Sequence, residues 1–350
     1  MADTASAPHA HPRSPLSRPI MAGVVTALVG FTSSFAVVLT GLAAVGANHA
    51  QAASGLLALS LTMGAACIVL AWRYRMPITA AWSTPGAALL AASGAAGGAG
   101  AGIDGGWPAA VGAFLIVAGL VLLTALVPQL GALIAAIPPS IAQAMLAGVL
   151  LPLCLAPITG LAANPWGVIP VVLTWLVFAR LAPRWAVPLA FLTATVVIVI
   201  AIATGAPTGA RAAVNPAALL PRVELTAPTF TVGALVGIAL PLFIVTMASQ
   251  NVPGVAVMRS FGYEVPWRPA MLVTGIGTAL GAPAGGHAIN LAAISAALAA
   301  APDAEPDPKR RWIAGVSTGV SYLVLGGCSA AFAALVALAP TAVIPAVAGL

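Results

Sequence analysis

The sequence predicts an all-α polytopic membrane protein built from two inverted repeats. Its composition, the placement of its basic residues and an internal similarity all point that way. The chain has 350 residues, 61% of them hydrophobic and only 6% charged, with a mean hydropathy of +1.07. A soluble domain carries about 25% charged residues, so this composition cannot cover a water-facing surface. The isoelectric point near 10.0 does not signal nucleic acid. There is one lysine, and the arginines end apolar runs instead of forming a basic stripe among aromatics. The expected partner is the lipid bilayer, with no nucleic acid.

At about 20 apolar residues per crossing, spans fall near 20–45, 52–72, 77–92, 107–127, 138–157, 165–182, 186–204, 230–252, 269–283, 287–301, 312–337 and 340–350. Arg13 and Arg18 precede the first run as in a signal peptide. That run is a full span in length and no cleavage site follows, so it reads as a retained first helix. The third, ninth and tenth spans are short, and Gly or Pro interrupts the third and the approach to the tenth. With the N-terminus inside, Arg13, Arg18, Arg73, Arg75, Arg180, Arg184, Arg259, Arg268, Lys309, Arg310 and Arg311 are cytoplasmic, and only Arg211 and Arg222 are external. One missed span would reverse every later loop, so this positive-inside bias supports the count as well as the orientation.

Ala132–Gly148 (ALIAAIPPSIAQAMLAG) returns as Ala333–Gly349 (AALVALAPTAVIPAVAG), 201 residues later. The same offset lays Trp82–Leu89 on Pro283–Asn290. Seven spans precede the second copy, an odd number, so the copies run in opposite directions. Inverted repeats with matching broken helices point to a secondary transporter with a midplane site. The division is a cytoplasmic tail at 1–19, a first repeat at 20–204, an external linker at 205–229 and a second repeat at 230–350. By the repeat arithmetic, roughly two further spans are expected beyond Leu350 at about 20 residues each. The second repeat is therefore expected to be C-terminally incomplete.

The chemistry concentrates in three polar breaks. In Met76-Pro-Ile-Thr-Ala-Ala-Trp-Ser-Thr-Pro-Gly86, Ser83 and Thr84 precede Pro85, a sequence suited to starting a helix. A helix that starts in mid-membrane turns free N–H groups and a positive dipole end inward, which suits a carboxylate. Gly281-Ala-Pro-Ala-Gly-Gly-His287-Ala-Ile-Asn290 carries an ionisable group within apolar sequence, by default a functional site. Ala288–Ala301 reads as a helix, putting His287 at its first turn and Asn290 one turn on. The dipole there disfavours protonated His, whereas a bound anion favours it. Anion and proton would then promote each other's binding, as symport requires. Thr246-Met-Ala-Ser-Gln-Asn-Val-Pro-Gly254 places Ser249, Gln250 and Asn251 in or at the end of an apolar run. These carboxamides either bond a substrate carboxylate or His287, or satisfy backbone groups freed by Pro253. Phe31-Thr-Ser-Ser-Phe35 offers hydroxyls and rings for packing or binding. His49 falls in an outer loop, and Gly94–Gly106 is an external loop without the Lys-Ser/Thr of a phosphate loop. Cys67, Cys154 and Cys328 are scattered singly, with no metal or disulfide spacing. There is no nucleophile–base–carboxylate set and no HExxH, so an enzyme is not expected, nor any cofactor or metal.

The segments PITAAWSTPGAALL, PLFIVTMASQNVPGVAVMRSFGY and GAPAGGHAINLAAISAAL together resemble the BenE-type benzoate transporter family, proton-coupled benzoate symporters of bacteria, over Pro15–Leu350. That family in turn resembles the uracil-permease and nucleobase–ascorbate transporters. The resemblance implies seven plus seven inverted spans, with spans 1–4 and 8–11 as a core domain and spans 5–7 and 12–14 as a gate domain. It also implies substrate contacts from Ser83, Thr84, Gly86, Gln250, Asn251, His287 and Asn290, and a homodimer through the gate domain. From the residues themselves, His287 is the expected proton-coupling group, in a protein of the bacterial inner membrane. The nucleobase carriers use carboxylates in spans 8 and 10, where this sequence has Gln250 and His287, so their proton mechanism does not transfer. The expected substrate is benzoate or a similar aromatic carboxylate. The competing readings are a carrier of another small solute such as a nucleobase, or a truncated, non-transporting membrane protein.

Overall fold

The computed structural model describes residues 15–96, 105–135, 139–205, 219–340 and 342–350. The tail to residue 14, the centre of the Gly94–Gly106 loop and most of the 205–229 linker, with Arg211, lie outside the described residues. The first span is two helices, α1 (Ser17–Thr32) and α2 (Phe35–Ala44). They part at Ser33-Ser34, whose hydroxyls both return to the Gly30 carbonyl, at 3.1 and 3.2 Å. Such bonds compete with the helix ladder and mark a break. Next comes α3 (His49–Tyr74), closed at its start by reciprocal Asn48–Gln51 bonds of 2.9 Å, a capping box. His49 is therefore the first residue of a helix, not part of a loop.

The third span opens with a strand, β1 (Ala80–Trp82), and continues as α4 (Thr84–Ala96). It is followed by α5 (Gly106–Leu126), the short α6 (Pro128–Ala135), α7 (Pro139–Ala163), α8 (Pro165–Leu181) and α9 (Ala186–Ala203). Pro165 starts α8 behind the Asn164 cap, where its missing N–H costs nothing.

The eighth span is one long helix, Val232–Ser260, made of α10 (Val232–Ala234), α11 (Leu240–Thr246) and α12 (Val252–Ser260). Two π-helical turns, Leu235–Ala239 and Met247–Asn251, join them. Each π turn ends two residues before a proline, Pro241 or Pro253. Proline offers no N–H to the carbonyl four residues back. The preceding residues widen instead, with Leu240 N–H reaching Leu235 O and Val252 N–H reaching Met247 O. The prolines thus do not end the span, which runs eight residues past the expected end at 252.

Beyond α13 (Trp267–Gly281) the backbone passes through a 3-10 turn to β2 (Ile289–Leu291) and α14 (Ile294–Ala300). This corrects the expected helix over 288–301: its first half is extended. The last elements are α15 (Trp312–Gly326) and α16 (Ser329–Leu338), bent 58° at Gly327-Cys328, and α17 (Val343–Ala348).

Packing divides these helices into two groups. α3 crosses α15, α13 and α16, α5 lies on α13, and α2 lies on α4, whereas α7, α8, α9 and α17 pack on one another. The α3–α15 crossing is closest at Gly64 and Gly319, where a Cβ would stand 2.8 and 2.6 Å from the other's carbonyl oxygen. Small residues that let backbones approach are the usual membrane helix contact. Strand followed by half-helix occurs twice, and the two strands run antiparallel. The repeats are therefore inverted. At the strands the offset is 209, not 201. The Ala282–Ala284 turn and Gly285, at φ +94°, lengthen the approach to β2.

Candidate functional site

β1 and β2 pair in the interior, with Ala80 opposite Leu291, Ala81 opposite Asn290 and Trp82 opposite Ile289. Ser83 N–H to Ala288 O and Ala292 N–H to Thr79 O, both 3.0 Å, extend the ladder. A two-stranded sheet leaves two open edges, and a bilayer core has no water to satisfy them. Side chains do so here. Cys67 Sγ accepts Ala80 N–H at 3.0 Å and donates to Ala80 O at 3.4 Å. On the other edge, the Thr278 hydroxyl accepts Ile289 N–H at 3.1 Å and Asn251 Oδ1 accepts Leu291 N–H at 2.8 Å. Asn290 Nδ2 donates to Leu291 O at 2.7 Å. Thr79 and Ser295 hydroxyls, 3.2 Å apart, tie β1 to the first turn of α14.

The start of α4 follows the sequence expectation. Ser83 Oγ accepts Gly86 N–H at 3.2 Å, as an N-cap. It also accepts the Thr246 hydroxyl at 2.8 Å, across from α11. A hydroxyl has one hydrogen to donate, so Ser83, with both bonds accepted, keeps its own free at a buried helix N-terminus. Thr84 beside it is half-buried. Gly86 is buried, and a Cβ there would overlap Leu242 and the Ser83 side chain. Glycine is what lets α11 close on this turn. Residues 77–96, 232–258 and 269–301 hold no Lys, Arg, Asp or Glu, so the positive potential here comes from the helix end.

Gln250 and Asn251 are adjacent in sequence but separate in space. Asn251 is fully buried and committed, to Leu291 N–H and, through Nδ2, to Met247 Sδ at 3.1 Å. It holds the strand, a role outside both expected ones. Gln250 is half-buried and makes no hydrogen bond to the described residues. Ser249 returns its hydroxyl to Val245 O.

Asn290 is fully buried with Oδ1 unpaired. Strand alternation puts it on the face of Ala81 and Ser83. His287 lies seven residues before α14, not in its first turn, so the helix dipole does not act on it as expected. Nor is it the inverted counterpart of Ser83 to Gly86; at the strand offset that is 292–295. Alternation puts His287 on the face of Ile289 and Leu291, and its ring meets Phe114 of α5 edge-on at 6.3 Å. It is fully buried with neither ring nitrogen bonded. Buried polar groups without partners are rare, each costing about 1–3 kcal/mol, and call for an explanation.

Sequence reasoning missed Thr246, Thr278 and Cys67 as partners of the broken segments. Each is a small polar residue in or beside an apolar run, a type that usually bonds its own helix, and only the crossing of helices reveals the reach. Among the described residues no group of three His, Cys, Asp or Glu could hold a metal.

The fold is that of a solved carrier. The transmembrane domain of a cyanobacterium bicarbonate transporter, BicA, superposes with a TM-score of 0.62 at 17% identity, covering 95% of this chain and 86% of that one. Its seven-plus-seven inverted-repeat architecture is therefore the fold here. Inner membrane protein YdcO of Escherichia coli (strain K12) is 36% identical over 332 residues, 95% of this chain and 81% of that protein. A benzoate membrane transport protein of Acinetobacter baylyi is 27% identical over 301 residues, 83% of this chain and 71% of that protein. The BenE profile, described as benzoate membrane transport protein, matches residues 14–350. This protein belongs to the BenE family of membrane transporters, which is not an enzyme family.

Proposed function

We propose that this protein imports benzoate or a similar aromatic carboxylate together with a proton, across the bacterial cytoplasmic membrane, with its N-terminus inside. The observation that carries this reading is the buried start of α4. There the Ser83 hydroxyl hydrogen is unused, and no fixed carboxylate in the flanking spans competes for the helix end. A substrate carboxylate at that end accepts from Ser83 and gains the dipole, with Thr84 and Gln250 as the half-buried polar groups of these segments. Asn290 lies on the same strand face as Ser83. Gly86 keeps the turn close to α11, and Asn251 holds the strand that carries Asn290.

His287 is the proton site in this reading. An imidazole with neither nitrogen hydrogen-bonded can take up and release a proton when its surroundings change. Because it sits on the opposite strand face, its coupling to the anion runs through the strand pair. Occupancy of one site then raises the affinity of the other by the same factor.

The test is uptake of labelled benzoate into proteoliposomes under an imposed pH gradient, for the protein and for His287→Gln. The variant is expected to lose gradient-driven accumulation while still exchanging benzoate across the membrane. Accumulation with unchanged gradient dependence removes His287 from the mechanism. Failure of the unaltered protein to move any aromatic acid overturns the substrate assignment.

A further inference from the structure

Five aromatic side chains meet beside the candidate site. Phe31 lies 5.1 Å from Trp82, 5.0 Å from Phe332 and 5.8 Å from Phe35 between ring centres. Phe35 is 5.1 Å from Phe332 and 5.0 Å from Phe191, the latter edge-on at 82°. Phe191 and Phe332 close the group at 6.0 Å. Four of the nine phenylalanines in the sequence are here, among helices otherwise built from Ala, Val and Leu.

The group has a built-in direction. Phe31, Phe35 and Trp82 are buried, whereas Phe191 and Phe332 are only half-buried. Phe191 alone comes from the α7–α9 and α17 group; the other four belong to the helices that carry the strands. The cluster also lies near the α4 N-terminus. Trp82 immediately precedes Ser83, and its indole N–H is held by Ser34 Oγ at 2.8 Å. Gly41 of α2 abuts Ala87 of α4, and Ser34 ahead of α2 meets Trp82 ahead of α4, so the two helices run the same way. At ~1.5 Å per residue, Phe35 lies ~9 Å below that contact and Thr84 ~4.5 Å below it. Phe35 is thus about one helical turn beneath the N-terminus that would take a carboxylate.

We propose that Phe31, Phe35, Trp82 and Phe332 form the ring-binding subsite for an aromatic acid, and that Phe191 occupies it edge-on when no substrate is present. When the two helix groups part, Phe191 leaves and the substrate ring takes its place against Phe35, its carboxylate toward Ser83. This rests on the aromatic-carboxylate reading above. It adds that selectivity for an aromatic over a saturated ring is set by these side chains, because the positive edge of an aromatic ring is attracted to a ring face more strongly than saturated C–H bonds are.

The experiment compares benzoate with cyclohexanecarboxylate, of like charge and similar size, in binding to the purified protein and in proteoliposome uptake. The variants are Phe35→Leu and Phe191→Leu, with monodispersity in detergent checked for each. In the unaltered protein benzoate is expected to be preferred. Phe35→Leu should cut that preference roughly 2- to 10-fold, the value of one aromatic pair. Phe191→Leu should tighten binding of both acids, because the competing ring is gone. A preference unchanged in Phe35→Leu, or both acids weakened equally, overturns the subsite while leaving aromatic transport intact. Absence of any aromatic-acid binding by the unaltered protein overturns the transport reading itself and the subsite with it.

Discussion

Replacing Asn251 by leucine separates a strand-holding role from a substrate-binding one. Asn251 Oδ1 is 2.8 Å from Leu291 N–H, and both residues are buried. Leucine keeps the branching and the number of side-chain heavy atoms, so the site stays filled, and its bulkier methyl groups add a packing strain that falls on the whole fold instead of on the one amide. What remains is an amide on the outer edge of β2 with no acceptor and no water. Leaving a buried donor unsatisfied costs about 1–3 kcal/mol. If that falls on local opening of β2, the Leu291 amide hydrogen exchanges roughly 5- to 150-fold faster. Hydrogen–deuterium exchange of a peptide covering 285–295, followed by mass spectrometry in detergent, measures it. Gln250→Leu is the control: the side chain makes no bond, so exchange at Leu291 should stay within about twofold of the original. If Asn251→Leu leaves exchange unchanged and only weakens substrate binding, Asn251 is a ligand and the strand-holding account is wrong.

Pro253→Ala restores an N–H for the Ser249 carbonyl, and the π turn Met247–Asn251 should close to an α turn. The helix itself then gains up to ~3 kcal/mol, but Asn251 rotates away from β2; a melting temperature that holds or rises with uptake lost is expected, and retained uptake would count against the π turn. Arg311 is buried and its guanidinium donates to Glu305 O, Ala300 O and Pro306 O at 2.7, 2.9 and 3.3 Å. Arg311→Met removes bonds of about 1.5–3 kcal/mol each, offset in part by water, so the loop 301–311 should become sensitive to limited proteolysis. Tyr263, outside the spans, bonds Pro308 O at 2.8 Å, and burial raises its phenol above 10.0, opposed by the Arg311 charge. A raised acid is protonated longer in the folded state, so its contribution is full below about pH 10 and is lost as pH rises through the higher value; spectrophotometric titration of the phenol should show a midpoint above that of free tyrosine.

Much of the architecture was legible because membrane residence constrains sequence so tightly. Apolar runs had to be near 20 residues. Most boundaries agree within a few residues, as for α8 and α9. Ser83 was legible as a cap because Ser-Thr-Pro-Gly is local chemistry, decided within four residues. The tenth span was not. Gly285 and Gly286 read as the approach to a helix over 288–301 that would hold Asn290 one turn in, yet the amides of Ile289 and Leu291 found acceptors on Thr278 and Asn251, 11 and 40 residues away. No periodicity encodes such partners. Where the eighth span ends was hidden for the same reason. Pro241 or Pro253 removes one donor, and whether the helix stops or widens depends on what surrounds it.

The medium and the presence of polar breaks are written in the sequence alone, because each follows from the cost of exposing polar groups to lipid over a short stretch of residues. Only the tertiary structure decided which polar groups are engaged and which are free. It committed Asn251 to β2, left the Ser83 hydrogen and the His287 nitrogens unused, turned His287 away from Ser83, and gathered rings from α1, α2, β1, α9 and α16. Those outcomes depend on helix crossings set by close glycine contacts and on strand pairing between segments about 200 residues apart, where a hydrogen bond's worth depends on distances that no local pattern contains.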